Sequence, residues 1–148
     1  MKLRNIVTAY LFHEGKIILG RHVKSNRLLP IGGEVELGET LIEALRREVK
    51  EELNVTIKVL DSRPSLHIDR EQPCPFLITV KTDKLHRLQI FEYLCIITDL
   101  SQLKVNTREI SEIALFDKAS YLRTSELSAR QKLILAEAFE RVPRYQAE

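Results

Sequence analysis

Apolar positions divide the chain into elements before any chemistry is considered. Two β-branched, apolar runs, residues 4–12 and 16–20, flank His13-Glu14-Gly15 and predict an antiparallel hairpin. From Leu28 to Glu36 the pattern breaks, and Pro30, Gly32 and Gly33 predict an irregular turn before Val35 resumes an extended course. From about Thr40 to Leu53 the period changes: Leu41, Leu45, Val49 and Leu53 recur every four residues with Ile42 beside them, which predicts a helix capped by Thr40. Asn54 tolerates the left-handed conformation and ends it. Extended segments follow at about 55–60, 76–81 and 88–98, with Pro64, Pro73 and Pro75 in the loops. A short strand near 113–116 precedes a helix at about 126–141, whose apolar face is Leu133, Ile134, Ala136, Ala138 and Phe139. Strands and helices alternate irregularly, so the expected class is α/β (α+β), a mixed sheet sandwiched between helices.

Composition narrows the partners. The 148 residues are 44% hydrophobic, which suits one domain over 1–148 with a real core. Lys and Arg number 23 against 21 acids, so the net charge of +2 gives no field for an extended nucleic-acid backbone or an anionic membrane. An anionic partner has to be gripped locally. Cys74 and Cys95 are far apart in sequence and build neither a disulfide framework nor a zinc site, which points to a reducing, cytoplasmic setting. Lys2 and Arg4 precede the apolar run Ile6–Phe12, but that run is short, ends in polar residues and lacks a small-residue cleavage site. No stretch approaches the roughly 18 apolar residues of a membrane helix.

The chemistry concentrates in the helix over 40–53. Glu48, Glu51 and Glu52 stand at i, i+3 and i+4 and share one face. In projection Glu52 falls between Leu41 and Leu45, at the border of the apolar stripe, while Glu39, Glu43, Arg46 and Lys50 point to the solvent side. Like charges at this spacing cost about 0.2–0.5 kcal/mol per pair, and acids in a last turn face the negative end of the helix dipole. Within the helix only Arg47 is placed to compensate Glu51. A divalent cation reverses both penalties, and hard carboxylate oxygens favour Mg²⁺ or Mn²⁺. A solvated acidic helix end is the plainer alternative. Gly32 and Gly33 allow backbone to approach a ligand, and Gly38 permits a tight turn just before Glu39.

Residues 33–55, from Gly33 through Glu39, Arg47, Glu48, Val49, Glu51 and Glu52 to Val55, resemble the Nudix box G-x5-E-x7-R-E-U-x-E-E-x-G-U, where U is aliphatic. Asn54 stands where the family has Gly. The resemblance implies the Nudix fold and hydrolysis of a nucleoside diphosphate linked to another group, by water attacking a phosphorus of the bridge. It further implies Glu48, Glu51 and Glu52 as metal ligands with the Gly32 carbonyl, Arg47 orienting the glutamates, and Glu39 supporting the loop or an outer metal. Glu52, Glu48 and the later Glu109 are, in that order, the candidates for the general base. Residues 109–116 resemble the family's late acidic loop and strand, with Leu115 where Trp is frequent.

Beyond the box, Arg21 is a candidate contact for a substrate phosphate and Gly33 for the substrate itself. His22, His67 and His86 have no paired ligand spacing and read as surface or loop residues. Phe76, Phe91 and Tyr93 suit either base stacking or, more commonly for strand aromatics, the core. The resemblance implies a small nucleotide-type substrate and admits a homodimer. The alternative within the same fold is a catalytically silent nucleotide-binding or regulatory module; such modules commonly lose one of the acids, and all stand here. A structural domain with an incidental acidic helix is the third reading. No tyrosine marker of dinucleoside-polyphosphate hydrolases and no coenzyme A signature is present, and Pro73 and Pro75 lie farther downstream than the proline tied to ADP-ribose.

Overall fold

The computed structural model of the chain describes residues 2–62 and 72–146, with side chains through Pro143; Pro64 and His67 lie outside the described residues. β1 (Lys2–His13) and β2 (Lys16–His22) form the expected hairpin, Phe12 opposite Ile17. Its two turn residues, Glu14 and Gly15, have φ of 49° and 76°, the left-handed pair whose twist matches antiparallel strands. β1 buries both faces, Val7, Ala9 and Leu11 on one and Tyr10 and Phe12 on the other. A strand buried on both faces belongs in the middle of a sheet. One of its edges pairs in parallel with β7 (His86–Ile96), from Lys2 opposite His86 to Phe12 opposite Ile96.

Two strands share the other edge of β1. β2 pairs with Leu11–His13, and β4 (Ile31–Glu34) pairs with Ile6–Ala9. Beyond the hairpin β2 diverges to pair with β3 (Leu28–Leu29) and β8 (Ile110–Phe116), while β5 (Lys58–Val59) and β6 (Leu77–Thr82) both pair with β7. The product is a mixed sheet, eight-stranded among the described residues.

A helix covers each face. α1 (Leu41–Leu53) lays Leu45, Val49 and Leu53 against Val7, Ala9, Leu11 and Tyr93. α2 (Ala129–Gln146) lays Leu135, Ala138 and Phe139 against Tyr10, Phe12 and Leu94. Phe139 also stacks on Tyr121 of the 3₁₀ turn Ser120–Leu122 and meets Phe12 edge-on, with ring centroids 5.1 and 5.2 Å apart. Each fully buried side chain of this size contributes about 1.5–3 kcal/mol, so the sandwich is held mainly by these two interfaces.

Three expectations need correction. Gly32 and Gly33 do not form a turn; they lie in β4, opposite Thr8 and Val7. A Cβ on Gly32 would overlap the Val7 carbonyl and Thr8 backbone, so the glycine serves close strand approach rather than chain reversal. α2 starts after Ser128 instead of near 126, because Ser128 and Gln131 cap each other reciprocally: Gln131 N–H donates to Ser128 Oγ at 3.1 Å and Ser128 N–H to Gln131 Oε1 at 2.9 Å. Its buried stripe is Leu135, Ala138, Phe139 and Val142, at i, i+3, i+4 and i+7, and Leu133 and Ala136 face solvent.

Candidate active site

The capping of α1 prepares the site. Thr40 Oγ1 accepts from Glu43 N–H at 3.1 Å, and Asn54, at φ 55° and ψ 42°, closes the other end by donating its N–H to the Lys50 carbonyl. Asn54 does more than tolerate this conformation. Its side-chain amide donates to the Gln102 carbonyl at 2.9 Å, drawing the loop between β7 and β8 onto the helix end. There Lys104 N–H donates to Leu53 O at 2.9 Å and Asn106 N–H to Glu52 O at 2.8 Å. Carbonyls that a helix C-terminus leaves open are thereby satisfied, and the loop delivers Glu109 beside the acids of α1.

One carboxylate oxygen each from Glu48, Glu52 and Glu109 lies within 4.8 Å of the others. Glu51 is not in this cluster: it is exposed and held by Arg47 Nη1 at 3.3 Å. The wheel explains the difference, since at about 100° per residue Glu52 lies roughly 40° to one side of Glu48 and Glu51 roughly 60° to the other. Glu109 occupies the position that spacing alone had reserved for Glu51. The Gly32 amide donates to Glu52 from β4, and Gly33 sits so close that any Cβ there would overlap the Glu48 carboxylate.

Burial sets the electrostatics. Glu52 is 2% exposed, and its Oε2 has no hydrogen-bond partner among the described residues. Desolvation first, then the neighbouring Glu109 and Glu48 carboxylates, push its pKa up to about 9. Burial also raises Glu48, against the pull of the Arg47 guanidinium 2.9 Å away. Arg47 is fixed by a two-pronged grip on Glu39, Nε to Oε2 at 2.7 Å and Nη2 to Oε1 at 2.9 Å, and by the Glu34 carbonyl at 3.1 Å. That grip, with the Glu36 N–H, lowers the Glu39 pKa to about 2. Glu39 is therefore not a solvent-side residue but the anchor that aims Arg47, while Gly38, at φ 86°, makes the turn that brings it in.

Hard oxygen donors, crowded, desolvated and short of one partner, fit a divalent cation. They suit softer-ligand metals poorly.

The cluster opens into a cavity of about 540 Å³ where β2 and β4 part, lined on one side by Gly32, Gly33, Glu48 and Glu109 and on the other by α2. This is the size range of small-ligand sites. His22 and Arg27 stand on its wall. Arg21 does not line it; its guanidinium pairs with Glu112 at 2.6 Å, with Glu126, and with the Asn26 carbonyl at 3.1 Å. Arg27, absent from the sequence reading, is the arginine of this hairpin that borders the cavity. Its signal was only alternation across a turn that Asn26, at φ 56°, reverses. Tyr93 is buried under α1 and is core, while Phe76 is partly buried and packs edge-on to Tyr10 at 5.3 Å at the border of the α2-side core. His86 lies 3.6 Å from Asp83, far from any ligand set.

A hairpin, an acidic helix and a returning loop that together build one carboxylate pocket define a recognisable class. A family model described as the NUDIX domain matches residues 2–137. The chain belongs to that family. A Nudix hydrolase of Deinococcus radiodurans is 42% identical over 66 residues, 40% of this chain and 39% of the relative, so the match spans well under half of that protein's length. A NUDIX-family hydrolase from Clostridium perfringens superposes with a TM-score of 0.77 at 19% identity, covering 92% of this chain and 95% of that one. A MutT NUDIX hydrolase from Burkholderia pseudomallei does so with 0.66 at 16% identity, over 96% and 99%. These two likenesses show the fold. Among the described residues, no helix is long and apolar enough to cross a membrane.

Proposed function

We propose that this chain is a metal-dependent pyrophosphohydrolase that cleaves the phosphoanhydride bond of a nucleoside diphosphate linked to another group. The observation that carries the reading is the convergence of Glu48, Glu52 and Glu109 within 4.8 Å, with Glu48 and Glu109 lining a cavity of small-ligand size and a buried Glu52 oxygen lacking a partner among the described residues. Glu48 and Glu52, with the Gly32 carbonyl, would hold Mg²⁺ or Mn²⁺, and Glu51 on the rim would serve an outer ion. When bound, such an ion neutralises the diphosphate and lowers the pKa of a bound water.

The residues divide the remaining work. Arg47, locked by Glu39, keeps the Glu48 carboxylate turned toward the site. Gly33 leaves room for that carboxylate and for a phosphate. Glu52 is the first candidate for the general base; burial raises its pKa, so it would accept a proton only as the carboxylate that a bound cation restores, and Glu48 and Glu109 are the other candidates. That none of the acids is missing from the sequence supports this reading over a silent binding module. The family's use of small nucleotide substrates and the near-neutral net charge support this reading; a cytoplasmic location is part of the proposal, and a homodimer is the assembly to test by light scattering.

The test is a screen of nucleoside triphosphates, nucleotide sugars, ADP-ribose and dinucleoside polyphosphates with Mg²⁺ and Mn²⁺, run in heavy-oxygen water with products read by mass. Incorporation of heavy oxygen into a phosphate product is expected. Saturable nucleotide binding with no turnover of any compound would move the assignment to the silent module.

A further inference from the structure

A second polar group lines the cavity. Glu92 of β7 lies on its floor, 5% exposed, and both of its carboxylate oxygens are engaged: Tyr10 OH donates to Oε1 at 2.9 Å and Thr79 Oγ1 to Oε2 at 2.8 Å. The direction at Thr79 is fixed, because its oxygen already accepts from Arg130 Nη2 at 3.2 Å and so spends its proton on Glu92. Arg130 thus reaches Glu92 only through a hydroxyl. Across the parallel ladder from Glu92 stands Thr8, whose buried Oγ1 lines the same cavity and has no hydrogen-bond partner among the described residues. The hydrolytic reading uses none of these groups.

A carboxylate buried without a direct cationic partner among the described residues is expensive. Each Glu92 oxygen has accepted one hydrogen bond and retains capacity for another. Two adjacent acceptors side by side match two adjacent N–H donors, the bidentate geometry in which carboxylates bind best. They oppose a carbonyl or phosphate oxygen at the same place. Apolar side chains of Ile6, Ile90, Leu29 and Ile134 form walls around this floor, suited to a flat ring. Glu48 and Glu109 line the same cavity, beside Gly32 on the strand two away from that of Glu92, so a nucleotide lying across the sheet with its phosphates at the proposed metal site would put its base against Glu92.

We propose that Glu92, supported by Tyr10 and Thr79 and joined by Thr8, is a base-selecting subsite that takes a nucleobase presenting adjacent N–H donors, guanine first, and rejects uracil. Of the common bases, guanine shows two donors in a row on its pairing edge, whereas adenine and cytosine show one beside an acceptor. Uracil offers a single N–H flanked by two carbonyls. The inference rests on the proposed nucleotide substrate, but it makes a claim about binding that does not require turnover.

The experiment is calorimetric titration of the whole chain, with Mg²⁺, against guanosine, inosine and uridine 5′-monophosphates. Guanosine monophosphate should bind at least about tenfold more tightly than the uridine compound, the worth of one hydrogen bond to a charged group. The inosine compound, lacking the 2-amino group, should fall between them. Glu92→Gln, whose amide presents a donor in place of one acceptor, should shrink the guanine-to-uracil ratio to within about threefold, and Thr8→Val should shrink it partway. Thermal melts establish that each variant is folded, and a Glu92→Gln that fails to fold leaves Thr8→Val and the wild-type ratio to decide. Equal binding of the three, binding of none at millimolar concentration, or an unchanged ratio in folded Glu92→Gln overturns the proposal. Selective binding without hydrolysis in the substrate screen would sink the catalytic reading and keep this one; hydrolysis without base preference would do the reverse.

Discussion

Glu52 and Glu92 are both buried carboxylates, 2% and 5% exposed, and their surroundings treat them in opposite ways. Glu92 receives a hydroxyl on each oxygen. Glu52 is crowded by Glu48 and Glu109 and keeps an oxygen without a partner among the described residues. A buried carboxylate held by hydroxyls needs no cation to stand in the fold; an unsatisfied one among like charges is stable only at a cost that a bound cation removes. The contrast teaches that burial alone does not identify a metal ligand. The missing partner does.

The largest expected effect is on turnover. Glu52→Gln should lower kcat on the best substrate by at least about 10²–10³-fold, comparable to deleting one electrostatic stabiliser of a transition state, while Glu43→Gln on the exposed side of α1 should leave it within about twofold. Steady-state kinetics at saturating Mg²⁺ check both, and equal damage from the two would dissolve the distinction drawn for Glu52.

Stability should move the other way. With the Glu52 pKa raised from 4.5 to about 9 in the fold, the folded state binds more protons than the unfolded one between those values. The chelator-treated protein should therefore lose stability as pH rises through that window, by up to about 1.4 kcal/mol per unit. Glu52→Gln should flatten that slope and add on the order of 1–3 kcal/mol at neutral pH. Glu92→Gln should instead cost about 1 kcal/mol, since one of the Tyr10 and Thr79 hydroxyls loses its acceptor. Denaturant melts across pH test the pair, and a wild-type stability that climbs from pH 5 to 9 without metal contradicts the argument.

The two glycines sharpen the comparison from the backbone side. Gly33→Ala pushes on the Glu48 carboxylate and should cost roughly 10–100-fold in activity with the fold largely kept. Gly32→Ala pushes on the β1 backbone and should cost about 3 kcal/mol or more, or prevent folding. Circular dichroism and activity measured together separate the two outcomes.

The smallest effect is expected at Arg21. Its ion pairs with Glu112 and Glu126 are partly exposed, so Arg21→Ala should lower stability by about 1 kcal/mol or less and leave KM within about twofold. A large rise in KM without loss of stability would restore Arg21 as a substrate contact.

The sequence by itself determined the local elements and the motif. The hairpin turn within His13-Glu14-Gly15, which the fold narrows to Glu14-Gly15, the caps at Thr40 and Asn54, and the four-residue spacing of α1 all depend on neighbours within one turn of chain, and each was legible in the pattern. Fixed spacing on one helix likewise made Glu48, Glu52 and Arg47 legible. Tertiary structure decided which acid completes the cluster, because Glu109 arrives only when the loop after β7 docks on the carbonyls of α1. It decided that Gly32 and Gly33 are strand rather than turn, since the reason lies in Val7, Thr8 and Glu48 and not in their own neighbours. It also made Glu92 a partner of Tyr10, which is 82 residues away in sequence. Helical period and turn chemistry are short-range and can be read along the chain, whereas desolvation and hydrogen-bond satisfaction are set by whichever distant segments the sheet brings together.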